Sequence, residues 1–375
     1  MTFQVTSKVS EIPTLGVELE YQVIDPETRE LSNNTELLLQ EGAEIYGSHI
    51  RPEFHAAMVE CLTTPCRTVR EVTEQVLELR RTLIGLARKR KLKIVSASTH
   101  PITHWQSVKL TAGERYLQIQ KDLGDVARSN LIYGMHCHVG IEDPEARIAV
   151  MNSARYFLPH LLALSCSSPC WQGRDTGLAS TRTGIFRRFP RTGVPAFFQS
   201  HADFESYVAT LVETGCIDNA KNIYWDIRPH PFFPTVEFRV CDAPTRLREM
   251  AAIVAFIHVI ATRLINLWHR NMGYRLHRRA FINENIYRAM RHGVQAEFID
   301  LATKKVITVV DAVRGLIDEF SDEIKLLEVE REMEWLDEIL AEGSSTDRQR
   351  KVLEETGELT AVVDHLIAET EEDVM

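Results

Sequence analysis

The stretch TLGVELEYQV, residues 14–23, decides how this chain is read. Leu15, Val17, Leu19, Tyr21 and Val23 alternate strictly with Gly16, Glu18, Glu20 and Gln22. That is the period of a β-strand, whose side chains point to opposite faces in turn. One face is apolar and packs. The other sets two carboxylates side by side, about 6–7 Å apart along the strand. Like charges that close repel unless water or a cation separates them. An isolated E-x-E fits a solvated outer face; the rest of the chain decides whether these two belong to one.

GMHCHVGI, residues 134–141, repeats the arrangement: Met135, Cys137, Val139 and Ile141 face one way, His136, His138 and Gly140 the other. VEFRVCD, residues 236–242, does so again, with Glu237 and Arg239 opposite Val236, Phe238 and Val240. In YWDIRPH, Trp225 and Ile227 alternate with Tyr224, Asp226 and Arg228, and Glu60 stands between Val59 and Cys61. A solvated sheet face normally carries Thr, Lys, Ser and Gln. Here the polar face is concentrated in carboxylates, imidazoles and guanidiniums. Carboxylates with an imidazole suit Mg²⁺ or Mn²⁺, and arginines beside them suit a transferred phosphate, which a planar fork binds bidentately.

A chain of 375 residues with 44% hydrophobic and 26% charged content can bury a large core. A net charge of −10 argues against nucleic acid or an anionic membrane as the main partner. The start, MTFQVTSKVSEIP, lacks the basic and apolar regions of a signal peptide. The apolar run from Met250 to Ile260 is too short to span a bilayer and reads as a buried helix. Seven scattered cysteines without a C-x-x-C suggest a reducing compartment and no cysteine zinc site. The expected location is the cytoplasm.

Strands are expected at residues 56–63, 92–98, 134–141, 223–228 and 235–241, besides the first. A helix is expected from Thr68, where Thr68 and Glu71 fit a capping box, to about Lys91. Another starts at Asp143-Pro144, a cap followed by proline. Beyond Leu247 the chain reads as nearly all helical. The sum is an α+β core with a helical C-terminal part, over a single catalytic domain of residues 1–375.

Residues 171–195, WQGRDTGLASTRTGIFRRFPRTGVP, show neither helical nor strand period and hold Arg174, Arg182, Arg187, Arg188 and Arg191 against Asp175. They read as a mobile basic flap over an anionic substrate, with Arg174 and Arg182 as candidate catalytic groups. ENIYRAMRHG, residues 284–293, sets Arg288 and Arg291 one turn apart, where both can face one anion. Neither a P-loop nor a G-x-G-x-x-G turn occurs, so a bound nucleotide is held some other way.

Together GVELEYQ, VEC, STHP, GMHCHVG, SPCWQGRDTGLASTR, DIRPHP, VEFRVCDAPTR and ENIYRAMRHG resemble the bacterial carboxylate–amine ligases, also called type 2 glutamate–cysteine ligases. The likeness runs from about Leu15 to Arg350. It implies the glutamine-synthetase fold, a curved antiparallel sheet with a polar concave catalytic face backed by helices. It implies ATP and Mg²⁺ (or Mn²⁺) as cofactors, and joining of an amino-acid carboxylate, glutamate first, to an amine such as cysteine through an acyl phosphate. By position, Glu18, Glu20, Glu60, Glu237 and His136 match metal ligands, His138 lies near the nucleotide, and Arg239 lies near the γ-phosphate as a catalytic group. Arg288 and Arg291 are carried as nucleotide-binding candidates. The partners implied are small amino acids and amines, with a homodimer as the implied assembly. The turn PHPFFPT departs from the family's more usual basic and glycine residues and touches no expected ligand. A metal-dependent hydrolase, a guanidino kinase and a binding protein without activity are the competing readings.

Overall fold

The computed structural model describes residues 12–372 and 374; residues 1–11, on which the reading of the chain's start rests, lie outside them. The largest sheet among the described residues is seven-stranded and antiparallel. Its strands are β1 (Leu15–Ile24), β2 (Ile50–Pro52), β3 (Met58–Leu62), β4 (Lys93–Val95), β5 (Met135–Gly140), β6 (Ile227–Pro229) and β7 (Thr235–Phe238). The order is β6-β7-β5-β1-β3-β2, with β4 pairing Gln22–Ile24 of β1 past the segment that pairs β5, across from β3. The opening stretch is therefore the middle of the sheet, flanked by β5 and β3.

The alternation holds. Leu15, Val17, Leu19 and Tyr21 of β1, Met135, Cys137 and Val139 of β5, and Val236 and Phe238 of β7 all enter one apolar core. Helices cover that face: Val69–Lys89, Pro144–Ala154 and the apolar helix Leu247–His269. Leu247–His269 is long and apolar enough to cross a membrane by length and composition, yet most of it is buried inside the protein. The apolar run Met250–Ile260 marked only its middle. Arg80, fully buried on this side, donates from Nε to the Tyr21 hydroxyl at 3.3 Å and from Nη1 to the Thr245 carbonyl at 3.0 Å, which offsets part of the cost of burying its charge.

The helix starts follow their caps. Thr68 accepts the Glu71 N–H at 3.2 Å, but the Glu71 carboxylate takes the Arg67 N–H at 2.7 Å, so the capping box closes one residue early. Asp143 accepts the Glu145 N–H at 2.9 Å ahead of Pro144. Most expected strands are trimmed at their ends, but 223–228 divides into Tyr224–Trp225, paired in a separate small sheet, and β6 of the large one, and β2 had no alternation to announce it. The chain beyond Leu247 is not all helical: Glu297–Asp300 and Lys305–Thr308 form a hairpin beside the helix Arg279–His292. The fold is α+β, as expected.

Candidate active site

The polar face of the sheet is assembled by register. Glu18 of β1 lies opposite His136 of β5, and His138 opposite both Gly16 of β1 and Glu237 of β7. Glu237 in turn faces Arg228 of β6. On the other side, Glu20 faces Glu60 of β3, which faces Arg51 of β2. Cross-strand partners share a face, so these side chains are neighbours by construction.

Glu18 Oε2 lies 3.2 Å from His136 Nδ1, and Glu18 Oε1 lies 3.4 Å from His138 Nε2. Glu237 Oε1 is 3.9 Å from His136 Nδ1 and is ion-paired with Arg239, while Arg228 Nε donates to Glu237 Oε2 at 2.7 Å. Glu18, His136 and Glu237 each offer a ligand atom within 4.8 Å of the others. Glu60 pairs with Arg51 Nε, and Arg51 Nη2 lies 3.9 Å from Glu18 Oε1. Glu20 Oε2 accepts the Gly134 N–H at 2.6 Å.

Titration follows burial and neighbours. Burial alone would raise the Glu18 carboxyl, but the hydrogen bonds from His136 and His138 outweigh it and hold Glu18 far below the usual range. Burial and the Arg239 charge depress His136 to about 4, so its ring is neutral at pH 7 and acts on Glu18 through its hydrogen bond. Burial works against Glu237 as well, but Arg239 and Arg228 keep it ionised. Glu20 goes the other way: burial and the charge of Glu53 raise it to about 7, against Arg182 and the Gly134 N–H. Burial, Glu18 and Glu53 likewise push Glu60 well up despite Arg51. Two of the four carboxyls, Glu20 and Glu60, are thus pushed toward their neutral form, and a divalent cation beside them would favour the ionised one.

The segment 171–195 is not a flap. It folds as a short hairpin (Cys170–Trp171 with Arg174–Asp175), a helix (Thr181–Phe186) and a strand, Thr192–Gly193, paired to Tyr224–Trp225. Its arginines are pinned: Arg187 to Asp226 at 2.7 Å, Arg188 to the Ser129 carbonyl at 3.1 Å, and Arg191 to the Asn222 carbonyl at 2.8 Å. Irregular period meant several short elements, not freedom to move. Arg182 is buried and donates to the backbone carbonyls of Val240 (3.3 Å) and Arg239 (3.1 Å), which joins it to the site. Arg174 is exposed on its hairpin. Arg288 and Arg291 do not share an anion site as placed. Arg288 donates to Glu284 and to the Glu297 carbonyl, whereas Arg291 donates to the Gly177 carbonyl. One helical turn brings two side chains to one side, but each found a partner nearer than a common ligand.

Sequence reasoning missed Arg51, whose strand has no pattern, and the part played by Asp242. The Asp242 carboxylate is fully buried and accepts from the Ser167 N–H, the Ser168 hydroxyl and the Ser180 hydroxyl at 2.7–3.0 Å. It lies 3.9 Å from Arg182 Nη1 and so anchors the start of the Arg182 helix beneath the site. An acid at the end of the strand-like VEFRVCD, with Ser-Ser far upstream, was the available signal.

The antiparallel sheet thus carries a carboxylate–imidazole–carboxylate cluster at its centre. The model of glutamate–cysteine ligase family 2 matches residues 14–365, and the chain belongs to that family and is a carboxylate–amine ligase. A relative from Chloroflexus aurantiacus, with a provisional glutamate–cysteine ligase 2 name, is 46% identical over 361 residues, covering 96% of this chain and 93% of its own. One from Sorangium cellulosum, similarly named, is 46% identical over 359 residues, with 95% and 96% covered. Among solved structures, a glutamate–cysteine ligase of Francisella tularensis in complex with AMP matches with a TM-score of 0.69 at 13% identity, over 97% of this chain and 94% of that one. A bifunctional glutathione synthetase of Pasteurella multocida matches with a TM-score of 0.73 at 13% identity, over 96% of this chain but 52% of that one. At such identities the likeness is one of fold.

Proposed function

We propose that the protein joins an amino-acid carboxylate, glutamate first, to an amine such as cysteine, at the expense of ATP and with Mg²⁺. The observation that carries this is the Glu18–His136–Glu237 cluster beside Arg239 at the centre of the sheet. Its donors are mostly carboxylate oxygens, which suit Mg²⁺ or Mn²⁺ rather than a soft metal. Glu20 and Glu60, raised while metal-free, are the further carboxylates that a cation would hold ionised. Arg182 Nε and Arg239 Nε are buried without hydrogen-bond partners among the described residues, donors that suit an anion. Bound there, the cation supplies charge neutralisation for the triphosphate.

A carboxylate is a poor electrophile, so its oxygen attacks the γ-phosphorus of ATP and ADP leaves. The amine then attacks the acyl carbon and displaces inorganic phosphate, giving the amide and a proton. The chain's own part is to hold two anions together and to offset their charge with Arg239 and Arg182. No thiol is needed: burial pushes Cys241 up to about 12 and, aided by Asp175, Cys170 as well. The test is ADP release together with hydroxamate formation when hydroxylamine replaces the amine, over a panel of amino acids. One ADP per hydroxamate is expected. Hydroxamate without ATP points to a hydrolase-like acyl transfer, ATP use that requires a guanidino acceptor to a kinase, and no product from any acid to a binding protein.

A further inference from the structure

The expectation that the turn between β6 and β7, residues 230–234, touches no ligand residue does not hold, since its His230 packs against His138 beside the cluster. Phe232 and Phe233 are 59% and 60% exposed, at the tip of a hairpin of the catalytic sheet. The tip is fixed from within. His230 Nδ1 accepts the backbone N–H groups of Phe232 (3.3 Å) and Phe233 (3.0 Å). The His230 N–H donates to the Thr235 carbonyl at 2.9 Å, and the Ile141 N–H to the Pro234 carbonyl at 2.7 Å. Pro229, Pro231 and Pro234 restrict the backbone further.

The rings form a continuous path. His138, whose Nε2 is 3.4 Å from Glu18, meets His230 edge to face with centroids 5.3 Å apart. His230 stacks on Phe233 at 4.7 Å and 11°. Lys221 covers Phe232, its ammonium 4.5 Å from the ring centroid. One face of Phe233 is therefore taken by His230, and the residue still keeps most of its surface open. Exposing a rigid aromatic of this size costs apolar burial with no gain to the fold. It stands two ring contacts from Glu18, through His230 and His138, within reach of the base of a nucleotide whose phosphates sit at Glu18, His136 and Glu237.

We propose that Phe233, backed by His230 and flanked by Phe232, is the stacking platform for the purine base of the nucleotide. This rests on the ATP reading above and adds to it the side chains that hold the base. Base–aromatic stacking needs one flat, open face and a preorganised ring, and both are present.

The test uses the full-length protein and calorimetric titration with two probes in Mg²⁺: AMP-PNP, which carries the base, and inorganic tripolyphosphate, which does not. Phe233→Ala is expected to weaken AMP-PNP binding by about 5- to 150-fold and to leave tripolyphosphate binding unchanged. Phe233→Trp, which keeps a flat ring, should bind AMP-PNP as well as the wild type. The platform is overturned if Phe233→Ala binds AMP-PNP normally, or loses both probes equally. It is also overturned if that variant changes only the oligomeric state, which would make the tip a subunit contact. A wild type that binds neither probe overturns the ATP reading itself.

Discussion

Gly134→Ala tests whether Arg182 is held in the site by close backbone approach. Gly134 precedes β5, and a Cβ built on it would lie 2.9 Å from Arg182 Cζ and 3.0 Å from its Nε. Arg182 Nη2 would be closer still, and non-bonded heavy atoms settle at about 3.5–4.0 Å, so the guanidinium must retreat by roughly 1 Å or more. It has little room, because it donates to the Val240 and Arg239 carbonyls, lies 3.9 Å from Asp242 and sits over the Phe186 ring at 5.8 Å. Hydrogen bonds of a charged donor contribute about 1.5–3 kcal/mol each, and loss of one or both exceeds the roughly 0.4–1 kcal/mol that alanine returns by restricting the unfolded chain. A net destabilisation of about 1–4 kcal/mol in urea unfolding is expected, with a fall in kcat/KM for the acid substrate. In an Arg182→Met background the same change should cost less, since the clashing fork is gone, and that coupling separates this account from general damage to β5. Equal costs in both backgrounds, or a fully stable and active Gly134→Ala, would refute the reasoning.

Glu18→Gln keeps the shape and removes charge from the cluster, so the variant should fold but need at least about tenfold more Mg²⁺ for half-maximal ADP release; a normal Mg²⁺ profile would return Glu18 to the role of a structural acid. Burial also depresses His55, His160 and His258 to about 4 and His100 to about 3, from 6.5 when unfolded. Their folded state resists protonation, so their contribution, at most roughly 3–5 kcal/mol each, is present above pH 6.5 and is lost as pH falls toward 4 and, for His100, toward 3. Glu20, raised to about 7, and Glu60 and Asp242, which burial also raises, act in the opposite sense, but the four histidines outnumber these three carboxyls. The urea midpoint of the metal-free protein should therefore drop steeply between pH 6.5 and 4; a flat midpoint there would remove burial as the cause.

Much of this was legible in the sequence because a strand's period is local. The alternation in residues 14–23 and 134–141 tells which side chains share a face, and Glu18, His136 and Glu237 do. The segment 171–195 was not legible for the opposite reason. Its elements are too short to show a period, and what orders them is distant: Asp226 for Arg187, the Ser129 carbonyl for Arg188, Asp242 for the start of the Arg182 helix. A cluster of arginines looks mobile in sequence because its partners are not beside it. The hairpin Glu297–Asp300 with Lys305–Thr308 was hidden in the same way, its strands short and surrounded by helical pattern.

Register is the step that period cannot supply. Knowing that Glu18, His136 and Glu237 all point to the polar side of a sheet does not say that they meet. They meet because β1 sits between β5 and β3, and because β5 pairs Glu18 with His136 and Glu237 with His138. A shift of one residue in β5 would turn both histidines into the core and bring Cys137 and Val139 to the polar face. The apolar face prevents that slip, since Met135, Cys137 and Val139 fill the same core as Leu15, Val17 and Leu19. The packing that stabilises the sheet is thus what aligns the ligand set. It follows that a core substitution under β5 which loosens its register, far from any ligand, should weaken Mg²⁺ binding as well as stability, whereas a core change under the helix Glu330–Glu342, which packs chiefly on other helices, should lower stability alone.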